Sequence, residues 1–336
     1  MLERYAACYR AFACLGGACP DSCCVGWEVV VDDDTAARYA AEPGELGDRL
    51  RSATTVDADG DRIIAHVNGH CPFWTREGLC EVQLRLGHDA LCRVCREYPR
   101  LRQDYGSFVE YGLALSCPEA ARLILSGTDA GWVEQQTDVP EEAPDYDPAV
   151  MALLQRTREP LLALLRDPQY TVGEALALAL LYAYAVQDAL ESSLPVDFDP
   201  AAALAELGQM PLQRGESLAP LVAFHRSLEI LTDRWRTMLE TADAAHPGSW
   251  RQEVRCLASY YVNRYWLQAI SDHDVIWRTK QMLAACLMAR LLPGTDAIAL
   301  YSKEVEHDGE NVDCIWEAVD TDPAWTDLRL LGWLMS

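Results

Sequence analysis

The chain has 336 residues, enough for a sizeable core in one large domain or two medium ones, which argues against a small scaffold stapled by disulfides. Its formal net charge is −24 at pH 7, carried mostly beyond residue 126. A surface this acidic repels phosphates and disfavours nucleic acid; it tolerates a basic partner, although solubility or adaptation to salt accounts for it as well. The longest apolar run, Ala175 to Val186, falls short of the ~20 residues that cross a bilayer, so no membrane partner is expected. The opening, Met1-Leu2-Glu3-Arg4-Tyr5, lacks the basic and apolar stretches of a signal peptide, and a cytoplasmic location with reduced thiols is expected. Only Lys280 and Lys303 are lysines; arginine supplies the rest, a bias that a GC-rich genome explains.

In chain order, Asp32-Asp33-Asp34-Thr35 starts a helix, with an N-cap ahead of good helix formers, and Pro43-Gly44 ends it. Two β-prone runs, Thr54–Val56 and Ile63–Val67, flank the turn Asp57-Ala58-Asp59-Gly60-Asp61 and predict a small β-hairpin. Cys71-Pro72-Phe73-Trp74 and Leu79-Cys80 flank Glu77-Gly78, a tight turn presenting two thiols. Glu81 to Tyr98 reads as helix interrupted near Gly87, and Pro99 ends it. Phe108 to Leu115 reads as a strand. Cys117-Pro118-Glu119 opens a helix over Ala120–Leu125, with proline at the first position and glutamate at the positive end.

Residues 127–148, rich in Gly, Asp, Glu, Pro and Thr, read as a linker. Beyond them helices are predicted over 148–167, 171–191, 199–208, 216–244, 249–271, 274–292 and 312–320. The expected fold class is mainly α: a cysteine-rich metal-binding region with a small β-hairpin over residues 1–126, the linker 127–148, and an all-helical domain over 149–336.

Ten of the thirteen cysteines lie in the first 117 residues. Nine of them, Cys14, Cys19, Cys23, Cys24, Cys71, Cys80, Cys92, Cys95 and Cys117, form a tight pattern and are the expected pool of metal ligands. Thiols at this density are oxidised in pairs or held by metal, and a reducing compartment points to metal. The pairs Cys14/Cys19, Cys19/Cys23 and Cys92/Cys95 each supply two ligands at little loop-closure cost, and Cys71 meets Cys80 across a turn. Cys92 and Cys95 share a helical face. Cys117 stands at a helix start, where N–H groups lower a thiol pKa.

Nine thiols exceed the four of one zinc or one 4Fe–4S cluster, so there are two centres or some thiols are structural. Spacing does not choose between zinc and iron–sulfur. Cys19, Cys23, Cys92 and Cys95 are the first choice. Consecutive side chains point apart, so of Cys23 and Cys24 one is expected to ligate and the other to pack or serve a second site. Tyr9, Phe12, Gly16, Gly17, Gly26, Trp27, Phe73, Trp74 and Tyr98 interleave the cysteines, either shielding a cluster or forming ordinary core. His66, His70 and His88 are alternative ligands, though such histidines more often serve at a surface or in a hydrogen-bonded core.

These blocks carry a resemblance. Tyr9-x-x-Phe12-x-Cys14-x-x-x-x-Cys19-x-x-x-Cys23-Cys24-x-Gly26-Trp27 resembles the opening of the flagellin lysine-N-methylase family. So do Cys71-Pro72-Phe73 with Gly78-Leu79-Cys80, the run Leu86-Gly87-x-x-x-Leu91-Cys92-x-x-Cys95-Arg96-x-Tyr98-Pro99-Arg100, and Ser116-Cys117-Pro118-Glu119-Ala120-Ala121-Arg122. The helical remainder is similar mainly around Tyr260-Tyr261-Val262-Asn263-Arg264-Tyr265. The resemblance implies methyl transfer from S-adenosylmethionine to a lysine side chain of flagellin, and a 4Fe–4S cluster held by these cysteines. A broader kinship with zinc- or iron-chelating cysteine-cluster proteins covers the same blocks and says nothing of function.

No Gly-x-Gly-x-x-Gly follows a strand, and the Cys-x-x-x-Cys-x-x-Cys triplet of radical S-adenosylmethionine enzymes is absent. If an open iron binds the cofactor, its ligands must come from separate blocks. Methylating lysine requires loss of its proton, since its free pKa is about 10.4. Tyr98, Glu110 and Glu119 are candidate proton acceptors by location, and Arg96 and Arg100 are candidate partners of the cofactor carboxylate. The structural alternatives are packing for Tyr98, solvation for Glu110, helix support for Glu119, and salt bridges inside the cysteine region for Arg96 and Arg100. The alternative function is a non-enzymatic zinc- or iron-binding module with the helices as a protein-docking platform; electron transfer comes third.

Overall fold

The computed structural model of the chain describes residues 1–26, 29–58, 60–127, 131–141, 143–192 and 194–336. Its first part contains β1 (Leu2–Ala6), β2 (Val29–Val30), α1 (Asp33–Ala41), α2 (Gly44–Ala53), β3 (Thr54–Val56), β4 (Arg62–Ile64), α3 (Glu81–Leu86), α4 (Arg93–Glu97), β5 (Arg100–Asp104), β6 (Phe108–Leu113) and α5 (Pro118–Leu125). Then come β7 (Trp132–Gln136), α6 (Pro148–Arg166), α7 (Val172–Ser192), α8 (Pro200–Gln209), α9 (Ala219–Ser227), α10 (Asp233–Thr241), α11 (Glu253–Tyr265), α12 (Ile276–Leu291) and α13 (Thr295–Tyr301). A π-helical turn over Ser302–Glu306 leads to α14 (Gly309–Thr321) and α15 (Asp327–Leu334). The fold is mainly α, as expected.

Local chemistry sets several boundaries. Asp32 caps α1 by accepting from Thr35 N at 3.1 Å, and its second oxygen accepts from Arg93 N at 2.7 Å, tying α1 to the start of α4. In α7, Ala175 through Leu180 are all buried, so this helix is apolar on most faces and sits centrally, against α6 and α12. The predicted hairpin is present as β3 and β4, and β2 adds a third strand on the other side of β4.

Other elements differ from expectation. A four-stranded sheet of order β5-β6-β1-β7 uses three strands not anticipated, β1, β5 and β7. β1 runs parallel to β6, Leu2 opposite Phe108 through Tyr5 opposite Tyr111, and antiparallel to β7. The range 127–148, expected as a linker, thus contributes a sheet strand. The single helix predicted over 216–244 is two, α9 and α10. Between them, Glu229 N is captured by Asn311 Oδ1 and Leu231 N by Glu304 Oε2, both at 2.8 Å, which takes those amides out of any helical ladder. The helix predicted over 249–271 ends at Tyr265 and continues as a 3-10 turn over Trp266–Ile270.

Two cores form. The larger joins the helices to Cys8, Phe12, Phe108, Cys117 and α5. The smaller holds Val29, Val31, Tyr39, Leu46, Leu50, Ile64, Phe73, Val82, Ala90 and Leu91 with Cys71 and Cys92. Among the described residues no helix is long and apolar enough to cross a membrane.

Candidate functional site

A cavity of about 210 Å³ opens where the two cores meet. All nine cysteines of the pattern line it: Cys14, Cys19, Cys23, Cys24, Cys71, Cys80, Cys92, Cys95 and Cys117. They arrive on four segments. The 3-10 turn at Gly16–Ala18 is flanked by Cys14 and Cys19, and the following turn brings Cys23 and Cys24. The turn before α3 brings Cys71 and Cys80, with Cys71 N donating to Cys24 O at 2.9 Å. Cys92 caps α4, Cys95 lies inside it, and Cys117 caps α5.

Two glycines lock two of these segments together. Gly78 has φ +74°, and a Cβ there would stand 3.0 Å from Gly17 Cα; a Cβ on Gly17 would stand 2.3 Å from Glu77 O. Only backbone fits on either side of that contact.

The thiols sort into protonation pairs. Cys23 donates a hydrogen bond to Cys24, which lowers Cys24 to about 7 and drives Cys23 upward. Cys95 does the same for Cys92, lowering it, and the Tyr39 hydroxyl, 3.6 Å from Cys92 Sγ, adds to the effect. Cys23 and Cys24 both line the cavity. Burial pushes Cys71 up to about 12 and also raises Cys19, Cys80 and Cys117. At Cys117 the helix-end amides of Glu119 and Ala120 act as expected, but burial outweighs them.

Several such thiols lose their protons together only beside a cation. Soft sulfur donors suit zinc and iron–sulfur centres, so the donor set fits either. Among the described residues no three Cys, His, Asp or Glu side chains are gathered closely enough, as they stand, to grip one metal ion. The thiols ring a space with room for about seven water molecules.

Phe12, Phe73 and Tyr98 line the same space, with Gly16 beside them; Trp27 lies outside the described residues. His88 reaches the cavity wall, whereas His66 and His70 do not line it, and His70 packs on Trp74 with ring centroids 5.1 Å apart. Of the other candidates, Tyr98, Glu119, Arg96 and Arg100 line the cavity. Burial holds the Tyr98 phenol well above its ordinary pKa, and its hydroxyl is 3.1 Å from Ser116 Oγ. Hydrogen bonds from Arg122, at 2.8 and 2.7 Å, lower the Glu119 carboxyl. Arg100 lies over the Phe12 ring, 5.1 Å from its centroid, and Arg96 donates to Asp89 O at 3.3 Å. Glu110 is not part of the cavity wall: on β6 it is buried and clamped by Arg158 at 2.8 and 2.7 Å.

Residues from the far end of the chain also reach the cysteine blocks. Lys303 Nζ donates to Asp21 Oδ1 at 3.1 Å, and His307 Nε2 lies 2.9 Å from Ser116 Oγ. Behind them Glu306 accepts from Tyr260, Tyr265 and Ser302, each at 2.7 Å, and pairs with Arg264 at 2.7 Å. The Tyr260–Tyr265 segment was the one visible signal of this cluster; Lys303 and His307 carried none.

Fold and cavity together define a mainly helical protein built around a cysteine-lined cleft. The lysine-N-methylases of Salmonella typhimurium and Salmonella choleraesuis are each 31% identical to this chain over 138 residues, 38% of the chain. The flagellar biosynthetic protein FliU of Salmonella muenchen is 32% identical over 131 residues, covering 35% of this chain and 74% of FliU. The chain belongs to the flagellin lysine-N-methylase family, in which FliU is a relative. It spans 33% of the length of the two lysine-N-methylases. No family model matches the chain, and no solved structure matches it.

Proposed function

We propose that this protein transfers a methyl group from S-adenosylmethionine to a lysine side-chain nitrogen of a flagellar protein, and that its cavity cysteines hold a 4Fe–4S cluster. The observation that carries the reading is the convergence of nine thiols, two arginines and two carboxylates, Asp21 and Glu119, on a single cavity, in a chain related to proteins named lysine-N-methylase. Cys19, Cys23, Cys92 and Cys95 are the ligands first proposed, with the remaining five thiols as the pool from which others come. A bound cluster would supply an electron-poor iron able to take the amino and carboxylate groups of the cofactor.

The chain's own residues have separate tasks in this reaction. Arg96 and Arg100 recognise the cofactor carboxylate by charge-assisted hydrogen bonds. Glu119, kept ionised by Arg122, attracts the incoming lysine ammonium by its charge; a carboxyl lowered in this way is too weak a base to keep the lysine proton, which passes on to solvent. Tyr98, kept protonated by burial, donates a hydrogen bond rather than accepting a proton. The neutral nitrogen then forms a C–N bond as the methyl–sulfur bond of the sulfonium breaks, and S-adenosylhomocysteine leaves. Phe12 and Phe73 give the cavity apolar walls beside the thiols.

The test is anaerobic purification with assay of iron, sulfide and zinc, absorption spectra with and without S-adenosylmethionine, and mass spectrometry of flagellin after incubation. Iron with sulfide, a spectrum that responds to the cofactor and methylated lysine are expected. Zinc without sulfide would sink the cluster; a spectrum blind to the cofactor, with unmodified flagellin, would sink the methyl transfer.

A further inference from the structure

The cysteine loops are held from a distance. All five residues of the turn Ser302–Glu306 are buried, although three of them are charged. Such π-helical turns often occur at functional sites. The Lys303 side chain is 4% exposed, and its Nζ donates to both Asp21 Oδ1 (3.1 Å) and Val25 O (3.2 Å). Gly26 follows at φ +87°, and a Cβ there would stand 3.6 Å from Nζ, so the loop passes directly over the ammonium. Asp21 and Val25 bracket Cys23 and Cys24, and Cys19 Sγ donates to Asp21 O at 3.2 Å. Beside the turn, His307 engages Ser116, which precedes Cys117 and meets Tyr98. The turn is anchored from behind: Glu304 accepts from Leu231 N at 2.8 Å and from Thr232 Oγ1, while Glu306 binds Tyr260, Tyr265 and Arg264.

We propose that Lys303, on this turn, is a positioning residue that sets the Cys19–Cys24 loop against Cys117, so that the cysteine cavity takes its shape only with the C-terminal helices in place. The inference rests on reading the cavity as a metal centre, but its first test needs neither metal nor substrate. Lys303→Met keeps most of the stem and removes both hydrogen bonds. Asp21 is 28% exposed and can turn to water, so the variant is expected to fold.

The experiment is pulsed alkylation of the reduced, metal-free full chain with N-ethylmaleimide, quantified at each cysteine by mass spectrometry. In Lys303→Met, Cys19, Cys23 and Cys24 should react about tenfold faster, while Cys71, Cys80 and Cys92 keep their rates. Lys303→Arg should restore the slow rates, and reconstituted iron and sulfide should fall in the methionine variant and recover in the arginine one. Unchanged rates at the three loop cysteines, or an equal rise at all nine, overturns the proposal. Should Lys303→Met lose its far-UV circular dichroism, Asp21→Ala, which removes the acceptor, decides from the loop side: faster loop alkylation supports the strut, unchanged alkylation refutes it. Because the alkylation is read without cofactor or flagellin, its outcome is separate from the fate of the methyl-transfer reading.

Discussion

Gly17 and Gly78 show how much of the cavity depends on backbone meeting backbone. A methyl on Gly17 would collide with Glu77 O, which is main chain and cannot rotate away. Gly17→Ala must therefore push the turn carrying Cys80 off the loop carrying Cys14 and Cys19. Overpacking of this kind costs about 1–3 kcal/mol, and urea unfolding should register it together with a loss of bound metal. Gly112→Ala is the control, since a Cβ there meets nothing within 4 Å; equal destabilisation of the two variants would contradict the argument. Part of the site was legible at this scale. Cys117 at its helix start followed from Pro118 and Glu119, and the pairing of Cys92 with Cys95 followed from spacing. The dominance of burial over the helix-end amides at Cys117 was not legible, because its burial comes from the larger core, which draws on residues from Cys8 to Leu334.

The same limit appears among the elements. β5 reads Arg-Leu-Arg-Gln-Asp and is an edge strand with its charged side chains exposed, so it carries no apolar alternation strong enough to announce a strand. β1 finds its partner β6 more than a hundred residues later, a pairing local pattern cannot reveal. The sequence Ser-Lys-Glu-Val-Glu resembles a solvated run, yet it is buried because Asp21, Thr232, Tyr260, Arg264 and Tyr265 supply its partners. Glu306→Ala would leave Arg264 buried without its counter-charge, and a loss of about 3–5 kcal/mol in urea unfolding is expected.

The helix α9 carries a pH effect. His225 is fully buried, its Nδ1–H donates to Leu221 O at 2.7 Å, and burial lowers its pKa to about 4. The unfolded chain binds this proton near pH 6.5 and the folded chain does not, so the stability is complete above about 6.5 and declines as pH falls towards 4. The loss is on the order of 3 kcal/mol. His225→Phe should reduce the slope of that part of the stability–pH curve, leaving the share of His307, which burial also lowers to about 4; a slope equal to that of the unaltered protein would refute the assignment.

At the scale of the whole molecule, the two cores differ in their means of support. The larger core runs from Cys8 to Leu334 and buries most of α5, α7, α11 and α12, so the segment of Cys8 and Phe12 and the helices stand or fall together. The smaller core has twelve buried residues, two of them cysteines, with Cys24 and Cys80 packed against it. A core that small needs a staple, and small natural cores use a disulfide or a metal for it. The metal centre proposed for the cavity would be that staple. Chelation of the metal under reducing conditions should then raise amide hydrogen exchange across residues 29–58 and 60–92 and leave α7, α11 and α12 protected. Uniform loss of protection would mean that the metal supports the whole fold, and no loss anywhere would mean that the smaller core stands without it; either result contradicts the division of support inferred from the packing.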